Sequence, residues 1–313
     1  MLRAIVLGIV QGITEFLPIS SSAHLSTVPR LLGYSTPTLA FEVLLHFGTL
    51  AAVAAYFARD LWAFVLCLVA PGRLGPEEAA TRRRLLGLLA LASLPAAAVG
   101  FLLQDWADQQ TARPLRASVW LVLTTVIMIA AELYDRSRRA RPAPASAPGE
   151  LESGEEAPAG RARTRVQRHH GRGPGTMTDP PDAQQELQRL PVAKATGIGL
   201  GQALALIPGT SRSGITISVG LFEGVSRETA ARFSFLLSIP AILGAGILKL
   251  DDLSGATETS AELLAGTVAA AVSGFLAVSF LIRLLRTRTL WPFIWYRLVA
   301  GTLFVLLLST VRS

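Results

Sequence analysis

The most regular pattern in the chain is a recurrence of long apolar runs with few charged positions. A helix that crosses a bilayer needs about 20 such residues, and six runs approach this length. The pattern therefore predicts six transmembrane helices, and no β-strand is expected. They are placed at residues 39–58, 85–104, 115–133, 229–250, 262–283 and 290–309.

Two further apolar stretches, 2–36 and 192–227, are interrupted near their centres by proline and hydroxyl residues. Proline removes a backbone donor and breaks a helix. Non-helical backbone at membrane depth survives only where protein or water satisfies its polar groups. Each stretch is therefore predicted to be a re-entrant helix pair, with its polar residues near the tip.

The distribution of charge orients these segments. Arginines cluster in the loops at 59–84 and 284–289 and at the start of 135–191, whereas the loops at 105–114 and 251–262 are acidic. By the positive-inside rule the first three are cytoplasmic and the acidic loops lie outside. The first re-entrant pair then begins and ends outside, and the second begins and ends in the cytoplasm.

The two halves also share a weak sequence repeat. Residues 17–21, Leu-Pro-Ile-Ser-Ser, align with residues 207–211, Ile-Pro-Gly-Thr-Ser, and residues 41–45 resemble residues 233–237. Inverted repeats whose interrupted helices meet near the midplane are typical of transporters. We therefore predict an all-α membrane protein with an inverted-topology repeat.

The predicted organisation has three parts: a membrane repeat at 1–134, a linker at 135–191 and a second membrane repeat at 192–313. The linker is rich in Pro, Ala, Gly, Arg and Glu, which cannot bury a core, so a disordered cytoplasmic segment is predicted. His169 and His170 within it can suggest a metal or anionic-lipid site. A solvated linker is the favoured interpretation.

Composition supports a membrane protein rather than a soluble one. The chain has 313 residues, of which 51% are hydrophobic and 16% charged, whereas soluble domains average about 25% charged residues. The net charge is +7, but the arginines flank apolar runs, a pattern that favours membrane orientation over nucleic-acid binding. Cys67 is the single cysteine, which excludes an intrachain disulfide. A cleavable signal peptide is not expected, because Gln11 and Glu15 break the first apolar run.

The first interrupted stretch carries a carboxylate, hydroxyls and an imidazole. Gln11 and Glu15 are four positions apart and share a helix face. Ser20 and Ser21 follow a proline, where helices restart, and His24 lies one turn further on. Ionisable groups at membrane depth mark function by default, and these three types together can make an activated nucleophile. The alternative interpretation is a capped helix start with a buried, hydrogen-bonded Glu15.

The second interrupted stretch carries a guanidinium among hydroxyls and glycines. Arg212 lies between Ser211 and Ser213, and Thr216 follows one turn later. A helix start with free N–H groups favours an anion, and arginine suits bidentate phosphate binding. The alternative is that Arg212 extends to the membrane interface.

If the two tips meet, they form one pocket for a phosphate ester reached from the bilayer. In phosphoryl transfer most of the catalysis is positioning and charge stabilisation. Arg212 would neutralise phosphate oxygens, and Glu15 would hold a divalent cation, Mg²⁺ or Ca²⁺. A serine or a water would attack, with His24 as acid or base.

The same residues carry a family resemblance. Residues 11–24, Gln-Gly-Ile-Thr-Glu-Phe-Leu-Pro-Ile-Ser-Ser-Ser-Ala-His, and residues 208–216, Pro-Gly-Thr-Ser-Arg-Ser-Gly-Ile-Thr, resemble the two signature motifs of the undecaprenyl-diphosphatase (bacitracin-resistance) family. The segments 41–43 and 224–236 also match. The resemblance covers most of both membrane halves.

The resemblance implies removal of one phosphate from undecaprenyl diphosphate, which recycles the lipid carrier for cell-wall synthesis. It also implies a multi-pass protein of the plasma (inner) membrane, a site facing outside and dependence on a divalent cation. A homodimer is compatible with it. The catalytic candidates are Glu15, Ser21, His24 and Arg212. The residues expected to support substrate or metal are Gln11, Ser20, Ser211, Ser213 and Thr216.

The sequence departs from the pattern of the family at two places. Gln11 stands where many members have a second glutamate, which leaves Glu15 as the main metal ligand, and the linker is longer than usual.

A transporter or flippase of lipid phosphates is the first alternative function, because the predicted architecture is transporter-like. A phosphatidic-acid-phosphatase-type enzyme is the second, and it is rejected because its Lys-x₆-Arg-Pro and Pro-Ser-Gly-His motifs are missing.

Overall fold

The computed structural model describes residues 1–103, 106, 113–140 and 182–310, and in this part of the chain the regular structure is entirely helical. The helices are α1 (Leu2–Phe16), α2 (Ser21–Leu31), α3 (Leu39–Tyr56), α4 (Ala58–Val69), α5 (Pro76–Leu102), α6 (Pro114–Leu123), α7 (Thr125–Ala140), α8 (Ala183–Gln188), α9 (Val192–Leu204), α10 (Arg212–Phe222), α11 (Arg227–Leu248), α12 (Ser260–Leu285) and α13 (Trp291–Thr310).

Among the residues that the structure describes, six helical segments are long and apolar enough to cross a membrane, as the sequence predicts. They are α3, α5, the consecutive α6 and α7, α11, α12 and α13. The second span begins at Pro76, earlier than the predicted residue 85. Proline suits the first turn of a helix, and Glu77 and Glu78 there complement the helix dipole. The all-α membrane fold is confirmed.

The two interrupted stretches are each a pair of short helices, as predicted. The first break, residues 17–20, separates α1 from α2, and the second break, residues 205–211, separates α9 from α10. The re-entrant insertion of these pairs and the opposite orientation of the halves stay predictions.

The packing of the helices repeats between the halves. Helix α1 packs against α12, and its counterpart α9 packs against α5. Helix α3 also packs against α12, and α11 packs against α5. The approach of α1 to α12 is close: a Cβ atom on Gly8 would lie 2.2 Å from the carbonyl oxygen of Gly266. The first helix of each half is therefore held by a long helix of the other half.

Two sequence predictions need correction. The region 59–84 was expected to be a loop, but α4 forms there, with Trp62 and Leu68 exposed on its apolar surface. The linker was expected to be disordered from 135 to 191, but α7 continues to Ala140 and α8 lies just before the second repeat. Residues 141–181, which include the two histidines, lie outside the described residues.

The ordered ends of that linker are explained by buried contacts. Leu187 and Leu190 are buried in the main hydrophobic core. At the other end Asp135 is fully buried and forms an ion pair with Arg227 of α11 at 2.7 Å. Arg227 also pairs with the buried Glu132 at 2.7 Å. The prediction failed at the ends because it rested on the average composition of the linker, which these few buried residues hardly change.

The Arg227 cluster supports a prediction about stability. Arg227→Met is expected to destabilise the protein by about 3–5 kcal/mol, because breaking a buried ion pair leaves uncompensated buried charge. Thermal unfolding of the purified protein in detergent measures this effect. Arg283→Met is the matched control, since Arg283 is exposed in the last turn of α12. Equal unfolding temperatures for the two variants would contradict the assignment.

Candidate active site

The two breaks contact each other directly. The Ser213 hydroxyl donates to the carbonyl oxygen of Leu17 at 3.2 Å. In the opposite direction, the backbone N–H of Gly209 donates to the Ser22 hydroxyl at 2.9 Å. Ser22 and Ser213 are each the second residue of the helix that follows a break. The predicted meeting of the two polar motifs is thus present in the fold.

The backbone at the two breaks has matching, unusual geometry. Ser20 has φ 73° and ψ 102°, and Ser211 has φ 70° and ψ 107°. Positive φ is uncommon for residues other than glycine, and such strain costs about 1–3 kcal/mol and persists only where the surroundings enforce it. Each serine caps the following helix, because its hydroxyl accepts from the N–H of Ala23 or Gly214. The first residues of the two helices, Ser21 and Arg212, both donate to Glu15.

Glu15 and Arg212 form an ion pair between the two motifs. The Nη2 of Arg212 donates to Oε1 of Glu15 at 3.0 Å. The other carboxylate oxygen, Oε2, accepts from the Ser21 hydroxyl at 2.7 Å and from the Gln11 amide at 3.2 Å. The side chains of Glu15 and Arg212 are only 9% and 15% exposed. The carboxylate is therefore hydrogen-bonded to a hydroxyl and paired with a guanidinium.

This ion pair borders a cavity of about 660 Å³. Its lining combines polar residues from both motifs with an apolar wall from α3, α11 and the second break. The polar lining includes Glu15, Ser20, Ser21, Ser22, Ser211 and Arg212. The apolar lining includes Leu39, Val43, Phe47, Leu206 and Ile242. A cavity of this size and character suits a phosphate group attached to an apolar chain.

Three predicted site residues do not line the cavity but form hydrogen bonds around the residues that do. Gln11 is fully buried and orients Glu15. Ser213 joins the two breaks, as described above. Thr216 is fully buried, donates to the carbonyl oxygen of Arg212 and is hydrogen-bonded to Ser234 at 2.6 Å. These three contacts hold the lining residues in place.

His24 also lies behind the cavity lining. It is 4% exposed, with its Nδ1 2.7 Å from the carbonyl oxygen of Ser20 and its Nε2 2.8 Å from the Tyr296 hydroxyl. Because a carbonyl only accepts, Nδ1 carries the proton, and Nε2 of the neutral ring accepts from Tyr296. Both ring nitrogens are therefore engaged, and His24 fixes the backbone at the strained Ser20.

The imidazole that lines the cavity belongs to His46, which the sequence interpretation missed. Its Nε2 lies 3.8 Å from Oε2 of Glu15, and its Nδ1 is 2.8 Å from the carbonyl oxygen of Glu42. The side chain is 39% exposed. A signal was available in the sequence, because Glu42 and His46 lie one turn apart inside an apolar span.

Arg212 has one N–H group without a hydrogen-bond partner in the described residues. Its Nη1 and Nη2 bind Ser238 and Glu15, but its buried Nε has no hydrogen-bond partner in the described ranges. The side chain is 15% exposed and lines the cavity, so its guanidinium can bind an oxyanion there. Three further cavity residues, Arg30, Glu42 and Lys249, add charge to the lining.

The residues present do not by themselves form a metal site. Within the described part of the chain, no three His, Cys, Asp or Glu side chains converge in a way that could hold an ion. Both oxygens of Glu15 are already bound, by Arg212 on one side and by Ser21 and Gln11 on the other. Gln11, which stands where a second carboxylate would strengthen such a site, supplies only a neutral amide.

Comparison with known proteins agrees with the motifs. Residues 4–303 match the family model described as "Bacitracin resistance protein BacA". A protein of Pelotomaculum thermopropionicum, named undecaprenyl-diphosphatase, is 38% identical over 99% of this chain and 97% of its own length. A protein of Alcanivorax borkumensis with the same name is 40% identical over 96% of both chains. Together with the paired motifs, these matches show that the chain belongs to the bacitracin resistance protein BacA family.

Proposed function

We propose that this protein is a phosphatase that hydrolyses undecaprenyl diphosphate to undecaprenyl phosphate and inorganic phosphate. The activity would recycle the lipid carrier for cell-wall synthesis and thereby confer bacitracin resistance. The proposal rests on the Glu15 carboxylate, which accepts a hydrogen bond from the Ser21 hydroxyl and forms an ion pair with Arg212. The family membership and the apolar cavity wall support the choice of a prenyl diphosphate.

In the first step, the Ser21 oxygen attacks the terminal phosphorus atom. Ser21 gives its proton to Oε2 of Glu15, to which it already donates at 2.7 Å. The bond between the terminal phosphorus and the bridging oxygen breaks, and undecaprenyl phosphate leaves with that oxygen. The guanidinium of Arg212 binds the phosphoryl oxygens, since catalysis of this reaction is mainly charge stabilisation.

In the second step, water attacks the phosphorus of the phosphoserine. The bond to the Ser21 oxygen breaks, and Glu15 returns the proton to that oxygen. The phosphate leaves as dihydrogen phosphate, with the oxygen of the water and both of its hydrogens. Glu15 thus acts first as a base and then as an acid, as in other covalent mechanisms.

We propose that a divalent cation, Mg²⁺ or Ca²⁺, enters with the substrate. Mg²⁺ is commonly held by few carboxylates together with substrate phosphates. Glu15 is the candidate protein ligand, and its carboxylate would have to exchange a present partner. The cation would supply additional neutralisation of phosphate charge, and the proton transfers above are assigned to protein residues alone.

We also propose that the protein lies in the plasma membrane with its site facing outside. The basic loops at 59–84 and 284–289 and the acidic loop at 251–262 support this orientation. A homodimer and the absence of nucleic-acid binding stay predictions.

Release of phosphate from undecaprenyl diphosphate by the purified protein in detergent tests the function. Detergent removes any transmembrane gradient, so phosphate release there supports an enzyme. Retained binding of the lipid without phosphate release would contradict the proposal and favour the transporter alternative. Arg83→Ala is a suitable reference variant, because Arg83 is exposed on α5, which does not line the cavity.

His46 is expected to bind the substrate phosphate through Nε2. Its Nδ1 is 2.8 Å from the carbonyl oxygen of Glu42, and its Nε2 lies at the cavity lining, 3.8 Å from Oε2 of Glu15. His46→Ala is expected to lower kcat/KM roughly 10- to 150-fold, the equivalent of about 1.5–3 kcal/mol for a hydrogen bond to a charged group. Phosphate release measures the effect.

His46→Gln provides the matched comparison for that prediction, because glutamine keeps a neutral donor near the same place. A loss smaller than that of the alanine variant is expected. Wild-type kcat/KM in His46→Ala would show that His46 does not bind the substrate.

A further inference from the structure

Arg297 of α13 forms hydrogen bonds with both breaks. Its side chain is fully buried. Nη1 donates to the carbonyl oxygen of Pro18 in the first break at 3.3 Å. Nη1 and Nη2 donate to the carbonyl oxygen of Thr210 in the second break at 3.3 and 3.2 Å. One guanidinium thus joins the backbones of two segments that are far apart in the sequence.

The same guanidinium is anchored to the third span. Its Nε donates to the hydroxyl of Thr125 at 2.8 Å, and Nη2 donates to the carbonyl oxygen of Leu121 at 2.9 Å. Nη2 also donates to the hydroxyl of Thr124 at 2.5 Å. These contacts surround the junction of α6 and α7. Arg297 is therefore held rigidly by one element while it holds two others.

The two carbonyl groups lie one and two positions before the serines with positive φ. Thr210 directly precedes Ser211, and Pro18 lies two positions before Ser20. A positive φ at a serine persists only where neighbouring contacts enforce it. Arg297 supplies such a contact at both breaks. A planar guanidinium has five N–H donors in a fixed fork, so it can serve acceptors on both sides at once.

Every partner of Arg297 named above is a neutral carbonyl or hydroxyl group. In the part of the chain that the structure describes, no ion pair includes it. A charge without an ionic partner is costly to bury. This cost is a reason to look for a role beyond packing, since an apolar side chain would fill the same volume without it.

We propose that Arg297 is a positioning residue that holds the two breaks in register. In that register Ser21 and Glu15 of the first motif meet Arg212 of the second. The effect on hydrolysis rests on the proposed function, whereas the effect on the relative position of the breaks does not. Two measurements therefore test the proposal separately.

The first measurement separates kcat from KM for Arg297→Lys and Arg297→Met, using only protein that elutes as a folded monodisperse species. Lysine keeps the charge but cannot bridge carbonyl groups on both sides. For Arg297→Lys we expect kcat about ten- to a hundredfold lower, because small misplacements of reacting groups have effects of this size. We expect KM to stay within about threefold. Arg288→Met, an exposed position just before α13, is the matched control.

The second measurement follows the distance between the helices that continue from the breaks. Cys67 is the single cysteine, so Cys67→Ala provides a background for spin labels at Leu32 and Phe222, which are both exposed. Pulsed electron paramagnetic resonance should give one narrow distance distribution in this background. The distribution should broaden or shift in Arg297→Lys.

The outcomes are distinct. Wild-type kcat in folded Arg297→Lys and Arg297→Met overturns the proposal, as does a lower kcat with an unchanged distance distribution. If only the unfolding temperature falls, Arg297 is structural and the proposal is also overturned. If Arg297→Met does not fold, Arg297→Lys decides. Lack of phosphate release by the unaltered protein refutes the proposed function, and the distance measurement then still tests Arg297.

Discussion

Replacing Arg212 by alanine is expected to abolish phosphate release, with kcat lower by at least about 10³-fold. An arginine that stabilises the charge of a transferring phosphoryl group contributes 10³–10⁵ in kcat. Arg212 is also the residue that pairs with Glu15 across the two motifs, at 3.0 Å. Its loss would remove the anion-binding N–H groups and leave the buried carboxylate without its guanidinium partner.

Two further variants and two controls sharpen this test. Glu15→Ala should be equally inactive, because Ser21 then lacks its proton acceptor. Arg212→Lys should recover only part of the activity, since lysine keeps the charge without the fork of donors. Arg83→Ala and Glu77→Ala, both at exposed positions on α5, are the matched controls. Near-normal kcat in Arg212→Ala or Glu15→Ala, with the protein folded, would refute the assigned roles.

Replacing Ser21 by alanine is expected to have an effect of similar size and to abolish a covalent intermediate. Removing the nucleophile leaves only binding and charge stabilisation, as in enzymes that lose more than about 10³-fold in kcat from such a change. Acid quenching during turnover of substrate labelled at its terminal phosphate should trap labelled phosphoserine in the unaltered protein. The label should be missing from Ser21→Ala.

Ser279→Ala is the matched control, because Ser279 is partly exposed on α12 and donates only to the carbonyl oxygen of Phe275. Substantial phosphate release by Ser21→Ala would point to direct attack by water. In that case Glu15 would remain the base, and the two-step mechanism would be wrong.

The sequence predicted the membrane spans well because span length and hydropathy are local properties. The interruptions at Pro18 and Pro208 were also predictable, since each proline follows a helical apolar run and precedes hydroxyl groups. The short helix α4 was missed because its predicted loop also contains arginines and prolines. The anchoring of Asp135 was missed because its partner Arg227 is distant in the sequence.

The sequence predicted the residues of the site less completely than the spans. Motif spacing placed His24 near Ser21, but spacing does not tell which way an imidazole faces, and Tyr296 and Ser20 hold the ring behind the cavity. His46 and Arg297 belong to no motif used above. Both are ionisable residues inside apolar spans, so the rule that drew attention to Glu15 applied equally to them.

The pairing of α1 with α12 has a consequence for biosynthesis. Met1 and Glu262, which form an ion pair at 2.7 Å, are separated by 261 positions. At about 5–20 residues per second, the ribosome needs roughly 13–52 s to make the intervening chain. During that time α1 has left the ribosome without its packing partner, and Glu15 has no Arg212. The nascent protein therefore passes through a stage in which α1, with Gln11 and Glu15 near its end, must be sheltered by the insertion machinery or by the lipid headgroups.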